Sequence, residues 1–142
     1  MREILFRGKR TDDGEWMCGN LTVWSDGSTS IDKEPTEGSP LYEVIPETVG
    51  QYTGLTDKNG KKIFEGDVFC MDEGIVGVVT FKDGCFRMQV FGQLGTYTES
   101  GYDECGGGFG IIECEPIDWY YIHDMEAIGN IHDNPELLKG GE

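Results

Sequence analysis

Few residues in this chain are equipped for chemistry. His123 and His132 are the only histidines, followed by Asp124 and Asp133 respectively. Nucleophilic catalysis needs a Ser or Cys beside a histidine that a third group orients. Adjacency in sequence does not set a carboxylate against an imidazole ring, so turn or surface positions are expected for both. Five cysteines, Cys18, Cys70, Cys85, Cys105 and Cys114, form no CxxC pair and are odd in number. That argues against both a disulfide framework and a zinc site. Asp57-Lys58-Asn59-Gly60 invites comparison with a calcium loop. With Gly60 at the sixth position, the first and twelfth fall on Leu55 and Gly66, which offer no side-chain oxygen. Gly106-Gly107-Gly108-Phe109-Gly110 lacks the Lys-Ser/Thr and the strand-to-helix setting of a phosphate cradle. Nothing singles out a working pair among the 27 acids. No catalytic, cofactor-binding or metal-ligating residue is therefore assigned, and no cofactor is expected.

The balance of 27 acidic and 11 basic residues gives a formal charge of −16. Such a surface repels nucleic-acid phosphates and anionic membranes, so no direct nucleic-acid or membrane binding is expected. It suits a basic protein partner, or solubility alone. Basic residues cluster only at 7–10 and 58–62. Trp16, Trp24, Tyr52 and the run Trp119-Tyr120-Tyr121 could stack bases only beside a basic groove; core packing and oligomer contacts are the expected roles. No apolar run approaches the ~20 residues that span a bilayer, and the first seven residues hold no apolar signal region. Cytoplasmic residence with reduced thiols is the expectation.

These residues must be carried by short strands. The 142 residues fit one compact unit, with room for a subsidiary lobe. Glycine is abundant, at 22, and scattered between short apolar runs, which marks many turns. Ile4 and Phe6 share one face of a first strand. Asp12-Asp13-Gly14 reads as a turn and residues 16–24 as the returning strand, loosened by Gly19. Ser25-Asp26-Gly27 leads into residues 28–31, and 34–40 form a loop. Residues 41–55 read as extended, interrupted at Pro46 and Gly50. Asn59-Gly60 suits the two positive φ angles of a type I′ hairpin turn, with 61–64 as the second arm. Beyond the corner Glu65-Gly66-Asp67, residues 68–71, 75–81 and 85–91 form a meander, turned at Lys82-Asp83-Gly84. Seven of the nineteen residues 92–110 are glycine, so this stretch reads as a long loop, a variable insertion or a partner contact. Residues 118–123 and 126–131 read as strands. Asn134 and Pro135 suit the N-cap and first position of a one-turn helix. A meander this short must curl or pack, and a small barrel is the economical answer because closure removes edges.

Three blocks carry a resemblance. Met1-Arg2-Glu3-Ile4-Leu5-Phe6-Arg7 opens the chain. Gly50-Gln51-Tyr52-Thr53-Gly54-Leu55-Thr56-Asp57-Lys58-Asn59-Gly60 and Ile63-Phe64-Glu65-Gly66-Asp67-Val68 occupy its centre. Ile128-Gly129-Asn130-Ile131-His132-Asp133-Asn134-Pro135-Glu136-Leu137 lies near its end. Together, in this order, they resemble the YopX family of phage and prophage proteins over nearly the whole chain. The resemblance implies an SH3-like barrel and a home in a bacterial virus or prophage. It implies no activity and supplies no catalytic residue. The departures lie at 25–40 and 92–110.

The fold expected is thus mainly β: a small SH3-like barrel with additional N- and C-terminal strands and a short C-terminal helix, in one YopX-like unit. Its parts are N-terminal strands and loop (1–45), central meander (46–91), glycine-rich loop (92–117) and C-terminal strands and helix (118–142). On physical grounds Gly60, Gly66 and Asp67 serve as folding punctuation, Asp67 by accepting backbone N–H groups. The function expected is that of a non-enzymatic, phage-encoded accessory protein acting through protein–protein contacts at 25–40 and 92–110, with self-association open. Two rivals stand beside it: an acidic DNA mimic bound to a host nucleic-acid-binding protein, and a metal-dependent carboxylate enzyme.

Overall fold

The computed structural model of the chain describes residues 3–33, 40–72, 74–93, 96–98, 101–103 and 109–138. The chain divides into two compact units, Met1–Leu55 and Thr56–Glu142.

In the first unit, alternating apolar residues and turn glycines give antiparallel strands β1 (Phe6–Lys9), β2 (Trp16–Val23), β3 (Thr29–Asp32), β4 (Tyr42–Val44) and β5 (Gly50–Thr56). Their order is β4-β3-β2-β1-β5. The first half of β2 pairs with β1, and its second half with β3. Gly19 sits where one pairing hands over to the other. A Cβ there would lie 1.9 Å from the Asp32 carbonyl oxygen, so Gly19 does not loosen the strand; it permits the close crossing. Beyond it, β4 returns to the end of β1. Arg10 bridges Val44, Thr11 N–H donates to the Glu43 carbonyl at 3.1 Å, and Ile45 N–H donates to the Lys9 carbonyl at 2.8 Å. Met17, Ile31 and Val44 fill the space enclosed, with Phe6, Leu21, Tyr42 and Val49 packed around them.

The second unit opens with the Asp57–Gly60 turn and continues through β6 (Lys62–Phe64), β7 (Asp67–Asp72), β8 (Ile75–Lys82) and β9 (Cys85–Gln93). A hairpin of β10 (Thr96–Thr98) and β11 (Gly101–Asp103) follows, then β12 (Phe109–Pro116) and β13 (Ala127–Asn130). The sheet order is β12-β9-β8-β7-β13. Val68, Phe69, Val78, Val79, Met88 and Val90 are buried in it; the neighbouring pairs Val68-Phe69 and Val78-Val79 point to opposite faces, so both faces are covered at those positions. Asp83 (φ 54°) and Gly84 (φ 81°) make the two-residue turn between the paired Lys82 and Cys85. This is the type I′ chemistry expected instead at Asn59-Gly60, where Gly60 alone has positive φ (78°).

Four expectations are corrected. The described residues form two antiparallel sheets and a small hairpin, with no closed barrel. The stretch 92–110 is not one loop: β9 runs on to Gln93, β10 and β11 pair, and β12 starts at Phe109. Backbone pairing outweighs glycine's poor strand propensity there, and the long β9–β12 ribbon extends the meander instead of curling it shut. Residues 118–123 are not a strand, because Ile117–Trp119 and Ile122–Asp124 are 3-10 turns. The short C-terminal helix is a single 3-10 turn, Pro135–Leu138, in which Leu137 N–H donates to the Asn134 carbonyl at 3.1 Å. Parts of the two variable stretches, at 34–39, 94–95, 99–100 and 104–108, lie outside the described residues.

Gly19→Ala puts a methyl group into backbone and should cost about 2–3 kcal/mol, in the range of overpacked sites. A lowered urea midpoint with unchanged slope is the expected readout.

Candidate functional site

The second unit is organised around one carboxylate. Asp57 is 4% exposed. Its Oδ1 accepts the N–H groups of Asn59 at 2.9 Å and Lys61 at 3.0 Å, and its Oδ2 accepts Ala127 N–H at 3.3 Å. The first two bonds close the turn; the third holds a segment seventy residues away. Lys58 adds a backbone bond to the Met125 carbonyl (2.9 Å) and an ion pair to Glu126 (3.6 Å). Burial pushes the Asp57 pKa up, but hydrogen bonds from Lys61, Ala127 and Asn59, together with the Lys61 charge, outweigh it. The net shift is downward.

That anchor fixes the end of segment 117–125, whose two 3-10 turns sort its side chains. Ile117 and Ile122 point inward and are buried. Trp119 and Tyr121 point outward, with 68% and 84% of their surface exposed. Tyr120 lies between, where burial and then Glu113 and Glu115 hold its phenol well above the ordinary range. The three aromatic residues and Asp124 line a cleft of about 500 Å³. Its remaining wall is sulfur: Cys70, Met71 and Met125. Cys70 and Met71 reach it from the bulge where the β7–β8 register shifts.

The first unit has a cleft of about 400 Å³ at the end of β1. Trp16, Met17, Pro40 and Tyr42 supply its apolar wall, and Arg10, Lys33, Asp13 and Glu15 its charges. Much of that charge is already matched. Arg10 pairs with Asp12 at 2.7 Å and Asp13 at 3.5 Å, and its guanidinium lies 4.3 Å from the Tyr42 ring centre. Arg7 and Lys9 cover Trp16 at 4.7 and 5.4 Å. The basic cluster at 7–10 therefore packs on its own aromatic residues. The other one, at 58–62, borders the Asp57 turn.

His123 is exposed on the second 3-10 turn, and His132 is half-buried with its N–H on Asn130 Oδ1 at 3.0 Å. The two aspartates diverge in role: Asp124 faces the cleft, while Asp133 bonds to Asn130. Among the described residues, no group of three His, Cys, Asp or Glu could hold a metal. Cys70, Cys85 and Cys114 are free thiols, Cys18 is an exposed residue of β2, and Cys105 and Gly106–108 lie outside the described residues. Among the described residues no helix is long and apolar enough to cross a membrane. Of the two roles expected of these aromatics, core packing and oligomer contacts, the outward display of Trp119 and Tyr121 departs from the first. The missed signal is a pair of isoleucines five apart, Ile117 and Ile122, spaced for short turns instead of a strand.

A family model described as YopX protein matches residues 5–139. The chain belongs to the YopX family. Among solved structures, protein yopX from Bacillus subtilis is similar over 100% of both chains, at 18% identity with a TM-score of 0.50. Protein EF1440 from Enterococcus faecalis is similar over 97% of this chain and 99% of its own, at 25% identity with a TM-score of 0.45. No curated protein matches. The YopX-like blocks of the second unit are the ones that meet around its turns. Gly66 (φ 91°) donates its N–H to the Val79 carbonyl at 2.8 Å and accepts Ile131 N–H at 2.9 Å. Asp67, 1% exposed, accepts Phe64 N–H at 2.9 Å. Asn134 Oδ1 accepts Asn130 N–H at 3.2 Å, so closely over Gly129 that a Cβ there would fall 2.4 Å from it. In this YopX-family chain Gly66, Asp67 and Asn134 tie backbone segments of the second unit together.

Asp57→Ala removes the acceptor of three part-buried backbone N–H groups and should cost about 1–3 kcal/mol by chemical denaturation. Because folding lowers the Asp57 pKa, its contribution is complete above the unfolded value of about 4 and is lost as pH falls through the folded value. Asp57→Asn should therefore flatten the loss of stability below about pH 4, measured by urea titration at each pH.

Proposed function

We propose that this YopX-family chain is a phage- or prophage-encoded accessory protein, not an enzyme, working in the host cytoplasm through protein–protein contacts. The observation that carries this reading is the outward display of Trp119 and Tyr121 beside a cleft. Large aromatic residues that the fold does not bury are the side chains most enriched at the centres of interfaces. The net charge of −16 favours a basic partner and disfavours self-association through the acidic surface. Where charge steers the encounter, association weakens as salt rises.

Trp119→Ala and Tyr121→Ala should leave stability within about 0.5 kcal/mol, as exposed positions do. Affinity capture from host cytoplasm with the wild-type chain should recover a basic protein, less of it at high salt, and neither variant should recover it. Capture unaffected by both variants counts against this surface. A defined multimer by light scattering, dissolved by the same substitutions, would make the partner a second copy of the chain.

A further inference from the structure

We infer that the second-unit cleft is a cage for a guanidinium group, so that the partner contact is an arginine side chain of a basic protein. The inference rests on the protein-contact reading above and specifies its chemistry. Trp119, Tyr120 and Tyr121 all line one cavity, and an aromatic face carries the negative end of its quadrupole. Among the described residues, Asp124 is the one charged residue in the lining, and no Lys or Arg contributes to it. Lys58, which meets this segment through the Met125 carbonyl, has its ammonium on Glu126 instead. The cleft therefore offers a cation two kinds of partner, aromatic rings and a carboxylate, within a chain of charge −16.

The shape fits an arginine better than a compact cation. The thioethers of Met71 and Met125 offer a polarizable wall for an aliphatic stem. A planar guanidinium can stack on an exposed indole or phenol while its N–H fork faces a carboxylate. An ammonium has no plane to stack. The first-unit cleft supplies the contrast, because its aromatic rings are already covered by Arg7, Lys9 and Arg10. The fold fills those rings with its own cations and leaves Trp119 and Tyr121 open.

The test uses the full chain and blocked single amino acids, N-acetyl-arginine amide, its neutral isostere N-acetyl-citrulline amide, and N-acetyl-lysine amide. Indole N–H resonances are followed in a ¹H–¹⁵N correlation spectrum and assigned with Trp119→Phe. The arginine probe should shift the Trp119 resonance saturably, leave Trp16 unmoved, and bind about threefold to tenfold tighter than citrulline, the range expected of one cation–ring contact. Asp124→Asn should bring arginine down towards the citrulline level. Equal binding by citrulline overturns the inference in favour of a merely apolar cleft, and equal binding by lysine overturns the guanidinium assignment. No shift at Trp119 with any probe overturns it outright. If the probes fail while capture of a protein still depends on Trp119, the contact reading stands without the cage. If arginine binds and no protein is captured, the reverse holds.

Discussion

A buried carboxylate with three backbone donors is an expensive thing to build and a hard thing to move. Asp57 is nearly removed from water, and the cost of burying its charge is met by N–H groups aimed at both oxygens. One of those donors, Ala127, belongs to the strand that follows the aromatic segment. The turn at 57–61 and the segment at 117–127 are therefore one mechanical piece, and the exposed rings stand on it. Rigid support of this kind is what lets a surface aromatic act as an anchor, because less freedom is lost on contact.

Elsewhere the molecule relies on the absence of side chains. β2 changes partners at Gly19, where the next strand's carbonyl occupies the space of a Cβ. Gly129 leaves room for the amide of Asn134 in the same way. Glycine in a strand ordinarily weakens it; here it admits a backbone carbonyl at Gly19 and a side-chain amide at Gly129. Among the described residues, glycine thus serves both in turns with positive φ, as at Gly60 and Gly84, and at close approaches, as at Gly19 and Gly129.

Much of this was legible in the residues. The meander, the Asp83-Gly84 turn, the corner at Gly66 and the acceptor role of Asp67 all follow from local chemistry, since each depends on residues within a few positions. What could not be read was long-range. Gly19 looks like a flaw in a strand until Asp32 is placed against it. The ladder of β12 on β9 overrides a glycine-rich composition that says loop. Asp57 was legible as a turn residue, whereas its bond to Ala127 spans seventy positions. The aromatic run at 119–121 carries a strand-like composition, and the two turns that replace a strand show only when Ile117 and Ile122, an odd number of positions apart, are both seen to be buried. Barrel closure failed for a related reason: it was inferred from the length of the meander, and the meander is longer than its glycines suggest.

Gly77 on β8 has a further implication. A Cβ there would lie 2.7 Å from the sulfur of Met88 and 2.9 Å from that of Met71, so two thioethers share one bare patch of backbone. Met88 is wholly buried and Met71 borders the aromatic cleft. An oxidant such as peroxide can thus reach Met71 while the fold is intact, but Met88 only when the packing around the sheet opens. The added oxygen of a sulfoxide would have no place over Gly77 once that packing closes again. The slower of the two oxidation rates becomes a clock for how often this sheet breathes.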